Sequence, residues 1–270
     1  MVRQLYLNVA LSILLYGAPV WTDSMKVAYR SKEVVQMQRK AALRCVSAYR
    51  TVSTEAVCIL ARTPPIDLLA EERTELFKAK KKLKTEKAVE RAKRDARRSL
   101  LWKWKDRLST CGKGEWTRML ICDLEQWMNR AHGQLNFHLT QVLSGHGCFN
   151  AYLAKMNIKA DPACSHCSHG RNDGPEHTFF ECEAWRRDRD KLVRSLELIG
   201  VQEPLEPRNL VPIMLISLEA WNLVSTFAST IMKRKMEAEW ERQRAERQSQ
   251  PTPYVPSRRR FGRAAAQAVH

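Results

Sequence analysis

No Asp-Asp pair occurs in the 270 residues of this chain, so no adjacent carboxylates stand ready to hold two magnesium ions for nucleotidyl transfer. G-x-S-x-G is absent, and so is any glycine-rich phosphate loop, which leaves no sequence signal for an acyl-transfer elbow or a nucleotide cradle. H-x-E is missing as well. A base deaminase needs it ahead of P-C-x-x-C, with an open zinc position, and Pro162-Ala163-Cys164-Ser165-His166-Cys167 approximates only the second half. No motif supports Cys45 or Cys58 as a nucleophile, and no internal repeat is present. Long hydrophobic runs are lacking too. Residues 2–17 are apolar after Arg3, yet too short and interrupted to span a bilayer, and Tyr16 breaks the small-residue rule of a signal-peptide cleavage site. This stretch is expected to be a buried helix.

Disulfide rhythm is the next absence. Of eight cysteines, Cys45, Cys58, Cys111, Cys122 and Cys148 fall without pattern, several on apolar helical faces. They read as buried thiols of a reducing compartment, so the expected location is intracellular, nuclear and cytoplasmic, neither secreted nor membrane-bound. Acidic residues are also scarce: 29 Asp and Glu face 46 Lys and Arg, for a formal net charge of +17. Such an excess favours a polyanionic partner, most simply RNA or DNA. A basic surface kept for solubility is the plainer alternative.

What the chain does contain is C-x2-C-x9-H-x4-C at Cys164, Cys167, His177 and Cys182. Two cysteines two residues apart grip one ion from a tight turn, and a His and a Cys further on close a tetrahedron, the geometry that zinc favours. Four protein ligands leave no water position, so the site is expected to be structural. His166 and His169 are rival ligands, and a His146/Cys148 pair lies just upstream.

Helical spacing dominates the rest. Residues 31–49 form a helix, with Val34, Val35, Met37, Ala41, Leu43 and Cys45 as apolar surface. Ser53 is placed to cap a short helix through Ala61, and Pro65 suits the first turn of the next. From Ile66 to about Leu108 there is no Pro or Gly, which predicts one very long helix. Within it, residues 78–107 hold 14 Lys/Arg against 4 Asp/Glu, a net of +10. Leu83, Val89, Ala92, Ala96 and Leu100 make one narrow docking face. Lys80, Lys81, Lys84, Arg91, Arg94, Arg97 and Arg98 are the expected phosphate contacts. An amphipathic helix is predicted over 116–131, a weak strand over 135–143, a short helix around Phe149–Met156 and a helix from the metal segment to about Ile199. A last helix over 213–247 should have an apolar first half and a charged second half projecting from the core. The final twenty or so residues read as a disordered basic tail.

Several segments taken in order carry a resemblance: LLYGAPVW (14–21), QRKAALRCVSAYRTVSTEA (38–56), PPIDLLAEER (64–73), LTQVLSGHGCFNAYL (139–153) and the cysteine–histidine stretch. Together they resemble the C-terminal part of the reverse transcriptase polyprotein of non-long-terminal-repeat retrotransposons, in particular the arthropod type-1 elements that insert into ribosomal DNA. The likeness covers roughly residues 3–240.

It implies a mainly α fold that begins after the polymerase palm. Its parts would be a thumb-like helical region (1–75), a long basic helical connector (76–134), a small zinc-binding α(+β) region (135–200), a C-terminal helix (201–248) and a disordered tail (249–270). It also implies Cys164, Cys167, His177 and Cys182 as ligands of a structural zinc, and RNA or DNA as partner. The polymerase and endonuclease domains of the same polyprotein would be further partners. The family's Tyr-x-Asp-Asp has no counterpart here, so no catalytic residue is carried over. The expected function is to position template RNA or target DNA. The competing expectation is a zinc-stabilised protein-interaction module or a domesticated remnant. An active zinc enzyme using Glu176 or Glu181 ranks last.

Overall fold

The computed structural model describes residues 2–249. Among these every named element is a helix, joined by loops; the one β pairing is an isolated antiparallel bridge between Ala163 and Asn172. Four helices build the N-terminal part: α1 (Val2–Leu14), the single turn α2 (Ala18–Trp21), α3 (Ala28–Cys45) and α4 (Thr54–Leu60). Ser53 caps α4 as its position predicts, its Oγ accepting from the Ala56 amide at 3.2 Å. The first helix is only half buried, contrary to expectation. Leu7 and Leu11 turn inward and α1 packs on α3, while Val2, Leu5, Tyr6, Val9 and Ile13 are exposed on the outer face. Among the described residues no single helix is long and apolar enough to cross a membrane.

The expected long basic helix is two helices. Helix α5 (Ile66–Lys82) and α6 (Glu86–Thr110) fold back on each other around Leu83, Lys84 and Thr85. No Pro or Gly makes the break. Leu83 and Thr85 are extended, and the Thr85 hydroxyl caps α6 by accepting from the Ala88 amide at 3.4 Å. The reversal brings an acidic stripe on α5 against a basic stripe on α6. Arg107 meets Asp67, Lys103 meets Glu71 at 3.0 Å, and Arg97 meets Glu72 at 3.0 Å. A straight helix would leave these charges apart.

The stretch 116–131 is likewise divided, into α7 (Glu115–Leu120) and α8 (Leu124–Asn129), with Asp123 capping the second through the Gln126 amide. The expected strand at 135–143 is helix α9 (Phe137–Ser144). Asn136 accepts from the Leu139 amide at one end, and Gly145, at φ +69°, closes the other in the left-handed conformation. Its burial on nearly every side hid the helical period behind an apparent alternation. Helices α10 (Asn150–Lys155) and α11 (Arg186–Leu198) flank the cysteine–histidine segment. The final pair is α12 (Pro207–Ile216), which starts earlier than expected, and α13 (Leu218–Ser249), separated by extended Ser217.

Helix α13 is the spine of the C-terminal half, packing on α9, α11 and α12 with Trp221, Val224, Phe227, Ala228, Ile231 and Met232 buried. Trp221 stacks on Trp127 with ring centroids 5.8 Å apart, and the Trp127 indole donates to the Ile59 carbonyl at 2.8 Å. Gly133 makes this junction possible. Its φ is +84°, and a Cβ there would lie 2.3 Å from Trp221 Cδ2. The charged second half of α13 does not leave the core at once, because Lys235 is 2 % exposed. The expected tail lies outside the described residues, apart from Ser249 at the end of α13.

Candidate metal centre

The knuckle between α10 and α11 is folded by its backbone. The Cys164 amide donates to the Arg171 carbonyl at 2.8 Å and the Asp173 amide to the Pro162 carbonyl at 2.9 Å, pinching residues 162–173 into a hairpin-like loop. Cys164 and Cys167 sit on its turn, and the His166 amide donates to Cys164 Sγ at 3.4 Å. The chain then enters a π-helical turn, His177–Glu181, closed by the Cys182 amide on the His177 carbonyl at 2.7 Å. This turn matters for ligand spacing. Five residues along an α-helix are about 140° apart around the axis, on different faces. The wider turn brings His177 and Cys182 back to one side.

The four side chains predicted as ligands converge. One donor atom from each of Cys164, Cys167, His177 and Cys182 lies within 4.8 Å of the others. Cys164 Sγ and Cys182 Sγ are 3.8 Å apart, and Cys167 Sγ is 3.5 Å from His177 Nε2. Three of the four residues are buried and Cys167 is half-buried, so the cluster could hold a metal ion out of bulk solvent. Burial pushes the Cys182 thiol up to about 12, and the neighbouring Cys164 adds to the shift. Burial raises Cys164 too. A cation among the sulfurs would reverse that preference. His177 Nδ1 is buried without a hydrogen-bond partner, its nearest carboxylate oxygen being Glu181 Oε2 at 3.5 Å. Arg171 holds that same oxygen at 3.0 Å, so a carboxylate stands behind the ring without bonding it, the side from which a carboxylate would orient an imidazole ligand.

The rival ligands lie elsewhere. His166 packs on Trp185 with centroids 5.1 Å apart, and His169 Nδ1 is 3.6 Å from Glu183. His146 bonds Thr51, while Cys148 donates to the Lys235 carbonyl.

Sequence reasoning missed the support beneath the knuckle. Asp173, 1 % exposed, receives Lys235 Nζ on both oxygens at 2.6 and 2.7 Å. It also accepts from Thr178 Oγ1 at 2.8 Å and from the Asn150 amide at 2.9 Å. Asn150 in turn donates to the Ala163 carbonyl. One buried ion pair thus ties the metal loop to α10 and α13. Its only signal in sequence was phase: Lys235 falls four residues after Ile231 on the buried stripe.

The expected phosphate contacts form a second surface. Lys80 and Lys81 end α5, Lys84 lies in the turn, and Arg91 and Arg94 line the first half of α6, all exposed. Lys80, Lys84, Arg91 and Arg94 make no ion pair among the described residues. Lys81 lies over the Phe77 ring, 4.5 Å from its centroid. Arg97 is committed to Glu72, and Arg98 sits 3.5 Å from Asp95. Residues 78–94, the hairpin tip, carry nine Lys/Arg and two Glu, a net of +7.

No protein-family model matches the chain, and no solved structure matches it. Curated proteins do. It is 28% identical over 216 residues to a Pol polyprotein from type-1 retrotransposable element R1 of Nasonia vitripennis, covering 71% of this chain and 53% of that protein. It is 27% identical over 225 residues to a 115 kDa protein in the type-1 element R1DM of Drosophila melanogaster, covering 74% and 20%. A Pol polyprotein from type-1 element R1 of Bradysia coprophila is 27% identical over 198 residues, covering 69% and 20%. The chain thus spans about half the length of the first relative and a fifth of the other two. Over about 70% of its length it is related to part of the Pol polyproteins of arthropod type-1 (R1) retrotransposable elements.

Proposed function

We propose that this chain is a nucleic-acid-positioning part of a retrotransposon polyprotein. The basic hairpin tip lies along phosphates, and a zinc-clasped lobe holds template RNA or target DNA in place. The observation that carries this reading is the tip, where the net charge of +7 over residues 78–94 is carried by exposed side chains without matching acids. Solvation alone would be served as well by mixed signs. Polymerisation and strand cleavage, in this reading, belong to other parts of the polyprotein, and the setting is the nucleus and cytoplasm. In this reading the regions 1–75, 76–134, 135–200 and 201–248 would serve as thumb-like helices, connector, zinc region and C-terminal helix, with α5 (Ile66–Lys82) running across the first boundary.

Zinc is the ion the donors favour. A tetrahedron with Zn–S bonds of about 2.3 Å has edges of about 3.8 Å between sulfurs, with slightly shorter edges to nitrogen. The sulfur–sulfur distance of 3.8 Å and sulfur–nitrogen distance of 3.5 Å fit it. Three thiolates and an imidazole close the coordination sphere and suit a structural role. One zinc per chain by elemental analysis is the expected result; a metal-free purified protein of unchanged stability would overturn it.

Binding is tested by fluorescence anisotropy with single-stranded RNA and DNA across a salt series. About six neutralised phosphates give a log–log slope of about −4 to −5. A flat dependence would sink the reading. A protein-interaction module remains the second reading, favoured by the exposed apolar face of α1. It is supported if Leu5→Glu with Ile13→Glu changes the mass in solution while no oligonucleotide binds.

A further inference from the structure

A cleft of about 550 Å³ opens between α1, the C-terminal ends of α3 and α4, and the loop after α8. Arg3, Arg62 and Arg130 line it, with Gln4, Asn8 and Gln134, and no Asp or Glu does. None of the three arginines pairs with a carboxylate among the described residues. Arg130 is the most enclosed. Its guanidinium lies 3.8 Å from the Trp127 ring centroid and 5.2 Å from that of Trp221. Its Nη1 donates to the Trp127 carbonyl, yet its Nε is buried without any partner. Burial and the Arg62 charge both bear against its protonated form.

Arg62 is held at φ +52°, in the position after the α4 C-cap where glycine is the usual occupant. Its Nη1 donates to the Arg130 carbonyl at 3.0 Å. Arg3 donates to Ser47 Oγ, and Ser47 is itself left-handed at φ +55° after the end of α3. The helix ends account for part of this charge, since the C-terminus of a helix carries about half a negative elementary charge. Three full charges on three short helix ends still leave a surplus. Arg3 is exposed and Arg62 and Arg130 are half-buried; with no acid on the cleft lining to balance them, an anion is the matching partner, and forked donors suit a tetrahedral oxyanion.

We propose that Arg3, Arg62 and Arg130 form an oxyanion pocket that grips a backbone phosphate of a bound polynucleotide. The site stands on its own geometry; only the source of the phosphate rests on the nucleic-acid reading. The pocket is formed by α1, the ends of α3 and α4 and the loop after α8, whereas the basic tip is the turn between α5 and α6, so the strand would have two separate contacts.

The test uses the full, metal-loaded chain. Arg62→Gly suits it, because glycine adopts the observed backbone readily and so should keep the melting temperature while removing the charge. Binding of a single-stranded 12-mer is expected to weaken about tenfold, with the salt slope smaller by about one; Arg3→Gln should do the same. In the unaltered protein, modification by phenylglyoxal is mapped by mass spectrometry with inorganic phosphate, a nucleoside monophosphate or the 12-mer present, and exposed Arg187 as reference. Protection of Arg62 and Arg130 by the 12-mer is the expected result. Protection by phosphate or mononucleotide alone would keep the pocket and overturn the polynucleotide source. If the 12-mer does not bind at all, the nucleic-acid reading fails and phosphate protection alone decides the pocket. Wild-type binding by both variants, with no protection by any probe, would overturn the proposal and leave the arginines as helix caps.

Discussion

Lys103 and Lys235 show two uses of the same residue. In the hairpin, Lys103 meets Glu71 with the two side chains 37% and 40% exposed. In the cysteine–histidine lobe, Lys235 meets Asp173 with the pair 2% and 1% exposed. An exposed pair contributes only ~0.2–1 kcal/mol and fades as salt screens it. A buried pair adds little net stability over an apolar core, but losing one partner leaves a bare charge in low dielectric and is severely destabilising. The hairpin is therefore expected to respond to salt as an electrostatic arm, and the lobe to fail when one member of its buried pair is missing.

Metal removal should separate the two most strongly. Chelation, or Cys182→Ser, is expected to melt residues 163–185, because metal binding is folding energy in such knuckles, of order 10 kcal/mol in isolated zinc domains. Hydrogen exchange should rise across the knuckle and stay unchanged in α5 and α6. Equal opening of both would erase the distinction. Asp173→Ala comes next, at about 3–5 kcal/mol in urea unfolding, since Lys235 would remain buried without its counter-charge. Lys235→Met should cost less, because Asp173 keeps its bonds to Thr178 and the Asn150 amide.

The pH dependence sharpens the comparison further. The folded-state pKa of Cys182 is raised from 9.0 to about 12. In the metal-free protein its contribution is therefore fully present below about pH 9 and lost as pH climbs from there towards 12. Loaded with metal, the thiolate is the bound form, so stability should instead fall as pH drops and protons compete for the sulfur. Thermal melts with and without chelator should slope in opposite directions; parallel profiles would argue against thiolate ligation. The smallest effect is expected in the hairpin. Arg107→Ala removes the forked contact to Asp67 and should cost about 1 kcal/mol or less, vanishing in 1 M salt. A loss that persists in high salt would mean that packing, not charge, holds the arm.

Local chemistry was the part readable from sequence. The four cysteine–histidine donors lie within one short segment, and the Ser53 cap announces itself three residues from its amide. Breaks made without Pro or Gly were not readable. Leu83–Thr85, Ile121–Asp123 and Ser217 are set by capping side chains and by what each helix packs against. Even so, the hairpin had a trace in the sequence, in the acids at 67, 71, 72 and 75 and the bases at 97, 103 and 107. Which of them meet depends on where the chain reverses. Asp173 and Lys235 are 62 residues apart, and nothing local joins them. The cleft of Arg3, Arg62 and Arg130 is equally a product of tertiary folding, assembled from three helix ends.

Gly133 has a consequence at the level of the gene. Its backbone is left-handed and the Trp221 ring fills the space a side chain would need, so both backbone and space call for glycine. A missense change in that codon would not stay a loop change. It would displace the indole of α13, and through the stacked Trp127 reach Arg130. In a random mutagenesis library, poorly folded clones should therefore be enriched at this turn, although Gly133 is neither a member of the cysteine–histidine cluster nor part of the basic tip.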